Sequence, residues 1–270
     1  FAKKSIPVTA FWVADTARRF PEIVREMESA GHETGTHSLY HETVGDSLFE
    51  IPGTYPLLPE EVQPRIKLAT DILEDIVGHK VVSWRCPRLF GGTHVTNALE
   101  SLGYECDATY PMYYYNEQLF PYHPSQENWT EQGSLNLIEI VQFADMGMES
   151  KDANGRDKDQ WPLYRTQSTA EFIPHIESFM SYLEKNDQSQ KPIVLCFYFH
   201  PWEFWEMPEG VIHFGEGGVL PDPFLTKGCG KYCLNQVELL IDWLKSKEAA
   251  FLTAGQCASK WKNILAQTDP

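Results

Sequence analysis

The chain has 270 residues and a formal net charge of −16, because 38 Asp and Glu residues outnumber 22 Lys and Arg residues. A protein this acidic repels phosphate backbones, which excludes nucleic acid as an expected partner. No run of about 18 apolar residues is present, so no membrane-spanning helix is expected. The hydrophobic content of 42% is typical of a folded globular protein.

Strand-like and helix-like segments alternate along the chain. β-Branched and aromatic runs predict strands over residues 6–13, 34–37, 81–85, 104–107, 135–143, 192–199 and 250–253. Apolar residues at helical spacing predict helices over residues 16–30, 59–78, 93–102, 170–183 and 234–244. This alternation indicates an α/β fold with a parallel sheet, either open or closed into a barrel. No internal repeat or linker-like segment is present, which favours a single domain over residues 1–270.

Six cysteines in a chain of this length do not form a disulfide scaffold. Cys229 and Cys233 are close in sequence and flanked by glycines. Both a local disulfide and two free thiols are compatible with this pattern.

Two histidines follow the second predicted strand, in the segment His37-Ser38-Leu39-Tyr40-His41. Residues at i and i+4 project from one face of a helical turn, so both imidazoles can bind one metal ion. The spacing alone is equally compatible with two unrelated surface histidines.

Two further polar residues lie at the carboxyl ends of predicted strands, where α/β enzymes place their sites. His200 follows the apolar strand over residues 192–199 and begins the segment His-Pro-Trp-Glu. It is either a catalytic group or a residue that hydrogen-bonds a backbone carbonyl. Arg85 is the last residue of the predicted strand over residues 81–85. It is able to hold an anion or a carboxylate, or to form a structural salt bridge.

Taken together, these segments resemble the polysaccharide deacetylase superfamily (carbohydrate esterase family four, the NodB-homology domain). The similarity extends over residues 1–257 in the order in which that family has its motifs. The similar segments are Val8–Val13, Phe20–Arg25, Ala30–His37, Trp84–Pro87, Phe199–Glu203 and Phe251–Thr253.

The resemblance implies a distorted (β/α)7-type barrel and a divalent metal ion, expected to be zinc. It assigns His37 and His41 as two metal ligands and His200 as the acid that protonates the departing amine. Arg85 occupies the position of the arginine that orients the catalytic base. Asp107 is either a partner of Arg85 or a capping aspartate.

The resemblance also implies the residues that contact the substrate. The backbone N–H of Arg88 corresponds to the oxyanion donor, beside Pro87 of the Arg-x-Pro motif. Trp202 is expected to shape the substrate groove. The family's paired aspartates, which supply the base and a third metal ligand, have no counterpart before Phe11. We therefore expect the barrel's first strand to be missing from this chain and to precede Phe1 in a longer protein.

Three functions are compatible with these motifs. The first is hydrolysis of a non-peptide carbon–nitrogen amide bond, namely N-deacetylation of an amino-sugar polymer or oligomer. The second is allantoinase-like hydrolysis of a cyclic amide. The expected substrate is a carbohydrate for the first function and a small amide for the second. The third is a non-catalytic carbohydrate-binding protein, which the missing aspartate pair favours.

Overall fold

The computed structural model describes residues 1–161, 163–187, 189, 191–208, 210–213 and 215–268. The chain divides into two compact units. The first comprises Phe1–Gln142, Lys191–Cys196 and Phe251–Pro270, and the second comprises Phe143–Gln190 and Phe197–Ala250. The single domain over residues 1–270 stays a prediction. Within the described ranges, none of the helices has the length and apolar character that crossing a bilayer requires.

The first unit is built on a five-stranded sheet whose strands are all parallel and follow one another in chain order. The strands are β1 (Thr9–Trp12), β2 (Glu33–Thr36), β3 (Ser83–Trp84), β4 (Cys106–Asp107) and β5 (Ile138–Glu139). Parallel neighbours in this order require crossover connections between successive strands. The α/β class with a parallel sheet is therefore confirmed.

Six α-helices belong to the described part of the first unit. They are α1 (Ala14–Arg19), α2 (Pro21–Ser29), α3 (Pro59–Val77), α4 (Thr93–Leu102), α5 (Met112–Tyr115) and α10 (Ala254–Thr268). Buried aliphatic residues of α3, such as Val62, Ile66 and Leu73, pack into two hydrophobic clusters beneath the sheet. Gly78 ends α3 in the left-handed region, with φ of 79°, as the sequence predicts.

The helix predicted over residues 16–30 is in fact two helices, because Pro21 interrupts it. Proline has no backbone N–H and disfavours the helical conformation of the residue before it. Phe20 accordingly leaves the helical region, with φ of −133° and ψ of 54°, and Pro21 begins the second helix at its first position.

Two predicted strands are not strands in the structure. Over residues 192–199 only Cys196 forms a bridge, with Gln142. Side chains hydrogen-bond the backbone of Tyr198, since its N–H donates to Gln160 and its carbonyl accepts from the Tyr164 hydroxyl. Residues 250–253 lead directly into α10.

The second unit is mainly helical in its described part. Its helices are α6 (Leu163–Thr166), α7 (Thr169–Asn186), α8 (Pro223–Thr226) and α9 (Lys231–Ser246), and β6 (Ile212–His213) pairs antiparallel with β7 (Gly218–Val219). Aromatic rings of Phe143, Phe172 and Phe179 pack together in its core. Cys229 and Cys233 are free thiols, so they do not form the local disulfide that the sequence left open.

Candidate active site

His37 and Arg85 are held side by side at the carboxyl ends of β2 and β3. The His37 N–H donates to the Trp12 carbonyl at 2.8 Å, and the Arg85 N–H donates to the Thr36 carbonyl at 3.0 Å. The sheet hydrogen bonding thus continues one residue beyond each strand. The His37 Nδ1 atom lies 2.8 Å from the Arg85 carbonyl oxygen. A carbonyl only accepts, so Nδ1 carries the proton, and the lone pair of the neutral ring is on Nε2.

His41 lies beside His37, although not on a helical turn. The two ring centroids are 5.0 Å apart with an interplanar angle of 65°. Residues 37–41 have no helical assignment, and both Ser38 and His41 have φ of 62°. The prediction that a helical turn places the two imidazoles together is therefore wrong. A bend with two left-handed residues brings the rings together instead.

The carboxylate of Glu42 stabilises this bend from within. It accepts hydrogen bonds from the Tyr40 N–H at 2.6 Å and from the Ser38 hydroxyl at 3.1 Å. The carbonyls of Ser38 and Leu39 accept the N–H groups of the first residues of α1, each at 3.0 Å. Because left-handed conformations are costly for non-glycine residues, these contacts are what maintain the position of His41.

The Arg-x-Pro segment contacts the His41 bend. Arg88 has φ of 61° and ψ of 10°, and the next residue, Leu89, also has a positive φ of 60°. The Arg88 guanidinium donates to the His41 carbonyl at 3.1 Å and to the Thr43 hydroxyl at 3.4 Å. Pro87 before it is buried. The assignment of Pro87 and Arg88 as substrate-binding residues stays a prediction.

The side chain of Arg85 points along the sheet towards β4 and β5. Its Nε donates to the Ala108 carbonyl at 2.7 Å and its Nη2 to Gln142 Oε1 at 3.1 Å. The guanidinium lies 4.5 Å from the centre of the Phe11 ring. These contacts fix the guanidinium at the carboxyl edge of the sheet, where the sequence predicts an arginine that orients a carboxylate.

Asp107 and Glu139 form a fully buried carboxyl pair on β4 and β5. Burial raises the pKa of Asp107 to about 7, against smaller lowering effects from Thr109, Glu139 and Arg85. Burial and the neighbouring Asp107 charge raise the pKa of Glu139 well above its ordinary value. Glu139 Oε1 accepts the N–H groups of Thr109 and Tyr110. Two contacting carboxyls in a dry interior are best accommodated by a shared proton.

This pair makes a prediction about stability. Between pH 4 and pH 7 the folded protein keeps an Asp107 proton that the unfolded chain has lost, so stability is lost as pH rises through about 7. One such proton changes the free energy of unfolding by about 1.4 kcal/mol per pH unit. The free energy of unfolding, measured with urea, should therefore fall between pH 5 and pH 7 in the wild type. In Asp107→Asn this decrease should be smaller by up to about 3 kcal/mol.

The matched control is Asp71→Asn, because Asp71 is exposed on α3 and pairs with Lys67 at the surface. Its unfolding should follow the wild-type pH dependence. Identical pH dependences for wild type and Asp107→Asn would contradict the shared proton.

His200 lies in the second unit, at the start of a short 3-10 helix, Pro201–Phe204. Its Nδ1 is 3.2 Å from Glu203 Oε2, and its side chain is 42% exposed whereas Glu203 is fully buried. The Trp202 ring stacks on the imidazole with centroids 5.4 Å apart and an interplanar angle of 23°. The rings of Trp161 and Tyr198 contact the imidazole edge-on.

The histidine pair has the donor chemistry that a divalent metal requires, but it supplies only part of a coordination sphere. Among the described residues, no group of three or more His, Cys, Asp or Glu side chains is arranged to hold a metal ion. His37 and His41 fit as two nitrogen ligands, because a backbone carbonyl fixes the His37 ring in the way that metal-binding histidines are commonly fixed. The assignment of these two residues as ligands stays a prediction.

The parallel sheet carries an imidazole pair and an arginine at its carboxyl edge, which is where barrel-type α/β enzymes place their sites. Residues 1–106 match the family model described as Polysaccharide deacetylase. No curated protein matches the chain. This match confirms the predicted resemblance to the polysaccharide deacetylases over residues 1–106.

Two solved structures share the fold over almost the whole chain. A probable polysaccharide deacetylase from Pseudomonas aeruginosa PAO1 has a TM-score of 0.58 and 16% identity, covering 97% of this chain and 70% of that one. The Puue allantoinase has a TM-score of 0.57 and 16% identity, covering 97% of this chain and 69% of that one. The predicted distorted barrel class is thereby confirmed at the level of fold.

Sequence reasoning did not identify several residues that form these two sites. Glu139 had a usable signal, because it is a lone charge inside the apolar run Leu137 to Val141. Arg165 and Trp161 had none, since they lie in a stretch without helical or strand periodicity. Their partner, Glu203, is 38 or more residues away in the sequence.

Proposed function

We propose that this chain is a metal-dependent hydrolase of non-peptide carbon–nitrogen amide bonds that removes N-acetyl groups from an amino-sugar polymer or oligomer. The observation that carries the proposal is the contact between the His37 and His41 rings, with His37 fixed through Nδ1 to the Arg85 carbonyl. The match of residues 1–106 to the polysaccharide deacetylase family model supports the reaction class.

A divalent metal, with zinc as the expected ion, would be held by His37 and His41. When bound, such an ion polarises the amide carbonyl and lowers the pKa of a water molecule. The chain's own residues bind and orient the other groups. Arg85, fixed by Ala108 and Gln142, presents a positive charge to a carboxylate or an oxyanion.

Proton transfer to the leaving amine is assigned to His200. Its Nδ1 is hydrogen-bonded to Glu203, so Nε2 is the atom that gives the proton to the amine. Trp202 stacks on this imidazole and is partly exposed, and we assign it to contact the sugar. The amide N–H of Arg88 is assigned as the oxyanion donor, and its left-handed conformation is the kind of local strain found at functional sites.

Acetate release tests this proposal directly. The chain, loaded with zinc, is incubated with N-acetylglucosamine oligomers, and free acetate is measured alongside bound metal. Acetate release that depends on the metal supports the proposal. No release from any N-acetylated sugar, with metal bound, would contradict it.

Ring opening of a cyclic amide is the second candidate function. The TM-score of 0.57 to the allantoinase is nearly the same as the TM-score of 0.58 to the probable deacetylase. Incubation of the same metal-loaded protein with cyclic ureides separates the two reactions. Ring opening without acetate release would favour this second function.

A variant of His200 tests the assigned acid. His200→Ala is expected to lower turnover by roughly 100-fold while the bound metal is retained, because general acid catalysis contributes about that factor. The control is His213→Ala, which removes an exposed histidine of β6 in the same unit. Equal rates for wild type and His200→Ala would remove His200 from the mechanism.

A further inference from the structure

We propose that Glu203 is a positioning residue that fixes the His200 imidazole in a single tautomer, and that Arg165 and Trp161 hold Glu203 in place for this role. The inference deepens the function of His200, and its consequence for turnover rests on the proposed function. All four residues lie in the second unit.

The two carboxylate oxygens of Glu203 have separate partners. Oε2 accepts the His200 backbone N–H at 2.7 Å and contacts His200 Nδ1 at 3.2 Å. Oε1 accepts Arg165 Nε at 2.8 Å and Trp161 Nε1 at 2.8 Å. One oxygen therefore faces the imidazole while the other is held by two donors from a different part of the chain.

The charge state of Glu203 determines the tautomer of His200. Burial raises the pKa of Glu203, but the hydrogen bonds from the His200 side chain and backbone and from Arg165 outweigh burial and hold the pKa below its ordinary value. An ionised carboxylate only accepts hydrogen bonds, so Nδ1 of His200 must carry a proton. Proton exchange with a substrate is then confined to Nε2.

Arg165 is anchored independently of Glu203. Its side chain is fully buried, and its Nη1 donates to the Phe224 carbonyl at 2.7 Å and to the Lys227 carbonyl at 3.2 Å. The guanidinium also lies 5.1 Å from the Trp161 ring centre and 5.4 Å from the Trp202 ring centre. These contacts hold the Arg165 guanidinium in position without any contribution from the Glu203 carboxylate.

A buried ion pair of this kind contributes little net stability, because desolvation offsets the attraction. The presence of this pair in a fully buried place is better explained by the imidazole that it orients. Trp202 adds to this arrangement, since it stacks on the imidazole whose edge Glu203 holds. Hydrogen bond and stacking together leave the ring one orientation.

The experiment measures the ring tautomer and the kinetics of the same variants. Long-range proton–nitrogen NMR of the histidine rings is recorded near pH 8, with the His200 signals assigned by their loss in His200→Ala. The wild type is expected to show the Nδ1–H tautomer. Glu203→Gln is expected to lose this single tautomer and to lower kcat by roughly 10–100-fold with KM changed less than about twofold, as for other groups that orient a functional imidazole.

Three further variants complete the design. Trp161→Phe keeps the ring and removes one donor to Glu203, so its kcat should lie between those of the wild type and Glu203→Gln. Arg165→Met/Glu203→Gln removes both buried charges and supplies a folded protein if Glu203→Gln alone does not fold. Glu177→Gln, on the exposed face of α7, is the matched control and should leave tautomer and kcat unchanged.

An Nε2–H tautomer in the wild type would overturn the inference. So would a Glu203→Gln or Arg165→Met/Glu203→Gln variant with unchanged tautomer and unchanged kcat. If the wild type hydrolyses no amide, the proposed function fails, while the NMR comparison still decides whether Glu203 fixes His200.

Discussion

Replacing either His37 or His41 by alanine is expected to remove most of the zinc that the wild-type chain retains under the same conditions and to lower turnover by roughly 1000-fold or more. The reason is that each substitution removes one of the two proposed nitrogen ligands, which lie side by side, and a bound metal supplies several kcal/mol of transition-state stabilisation. Metal is measured by elemental analysis after dialysis, and turnover by acetate release at saturating substrate.

His79→Ala is the matched control for these variants. His79 is an exposed histidine of the first unit that pairs with Glu28 at the surface. It should keep both metal and activity. Metal content that is unchanged in His37→Ala and His41→Ala would contradict their assignment as ligands.

Arg165→Met is expected to lower the free energy of unfolding by about 3–5 kcal/mol, because it leaves the buried Glu203 carboxylate without its cation. The double variant Arg165→Met/Glu203→Gln should recover a large part of this loss, since no charge is then left unpaired. Urea unfolding monitored by circular dichroism measures both values. A double variant that is less stable than Arg165→Met would show that the pair contributes net stability.

The sheet was predictable because each strand carries its own local signal. The sequence predicted a strand at each of the five positions, although the structure assigns shorter strands at four of them and shifts β2 by one residue. Helix α10, which is absent from the predicted helices, does carry a local signal at its start. Thr253 and Gln256 form a capping box, with the Gln256 N–H on Thr253 Oγ1 at 3.3 Å and the Thr253 N–H on Gln256 Oε1 at 3.1 Å.

The site was predictable only in part, because its fine geometry is non-local. The motif spacing correctly placed His37 beside His41, yet it assigned the wrong local backbone. The contact that fixes His37 comes from Arg85, 48 residues away, and the buried partner of Asp107 is Glu139 on the next strand. Periodicity and capping rules describe residues that are a few positions apart. They do not predict contacts between residues that are distant in the sequence.

The group that orients the His37 ring is a main-chain carbonyl rather than a side chain. Every amino acid at position 85 supplies that oxygen, provided that the strand end keeps its hydrogen bond to Thr36. Under the proposed function, mutational change at this position can therefore alter the charge offered to a substrate without rotating the neighbouring imidazole. The charge and the carbonyl that orients His37 belong to separable atoms of one residue.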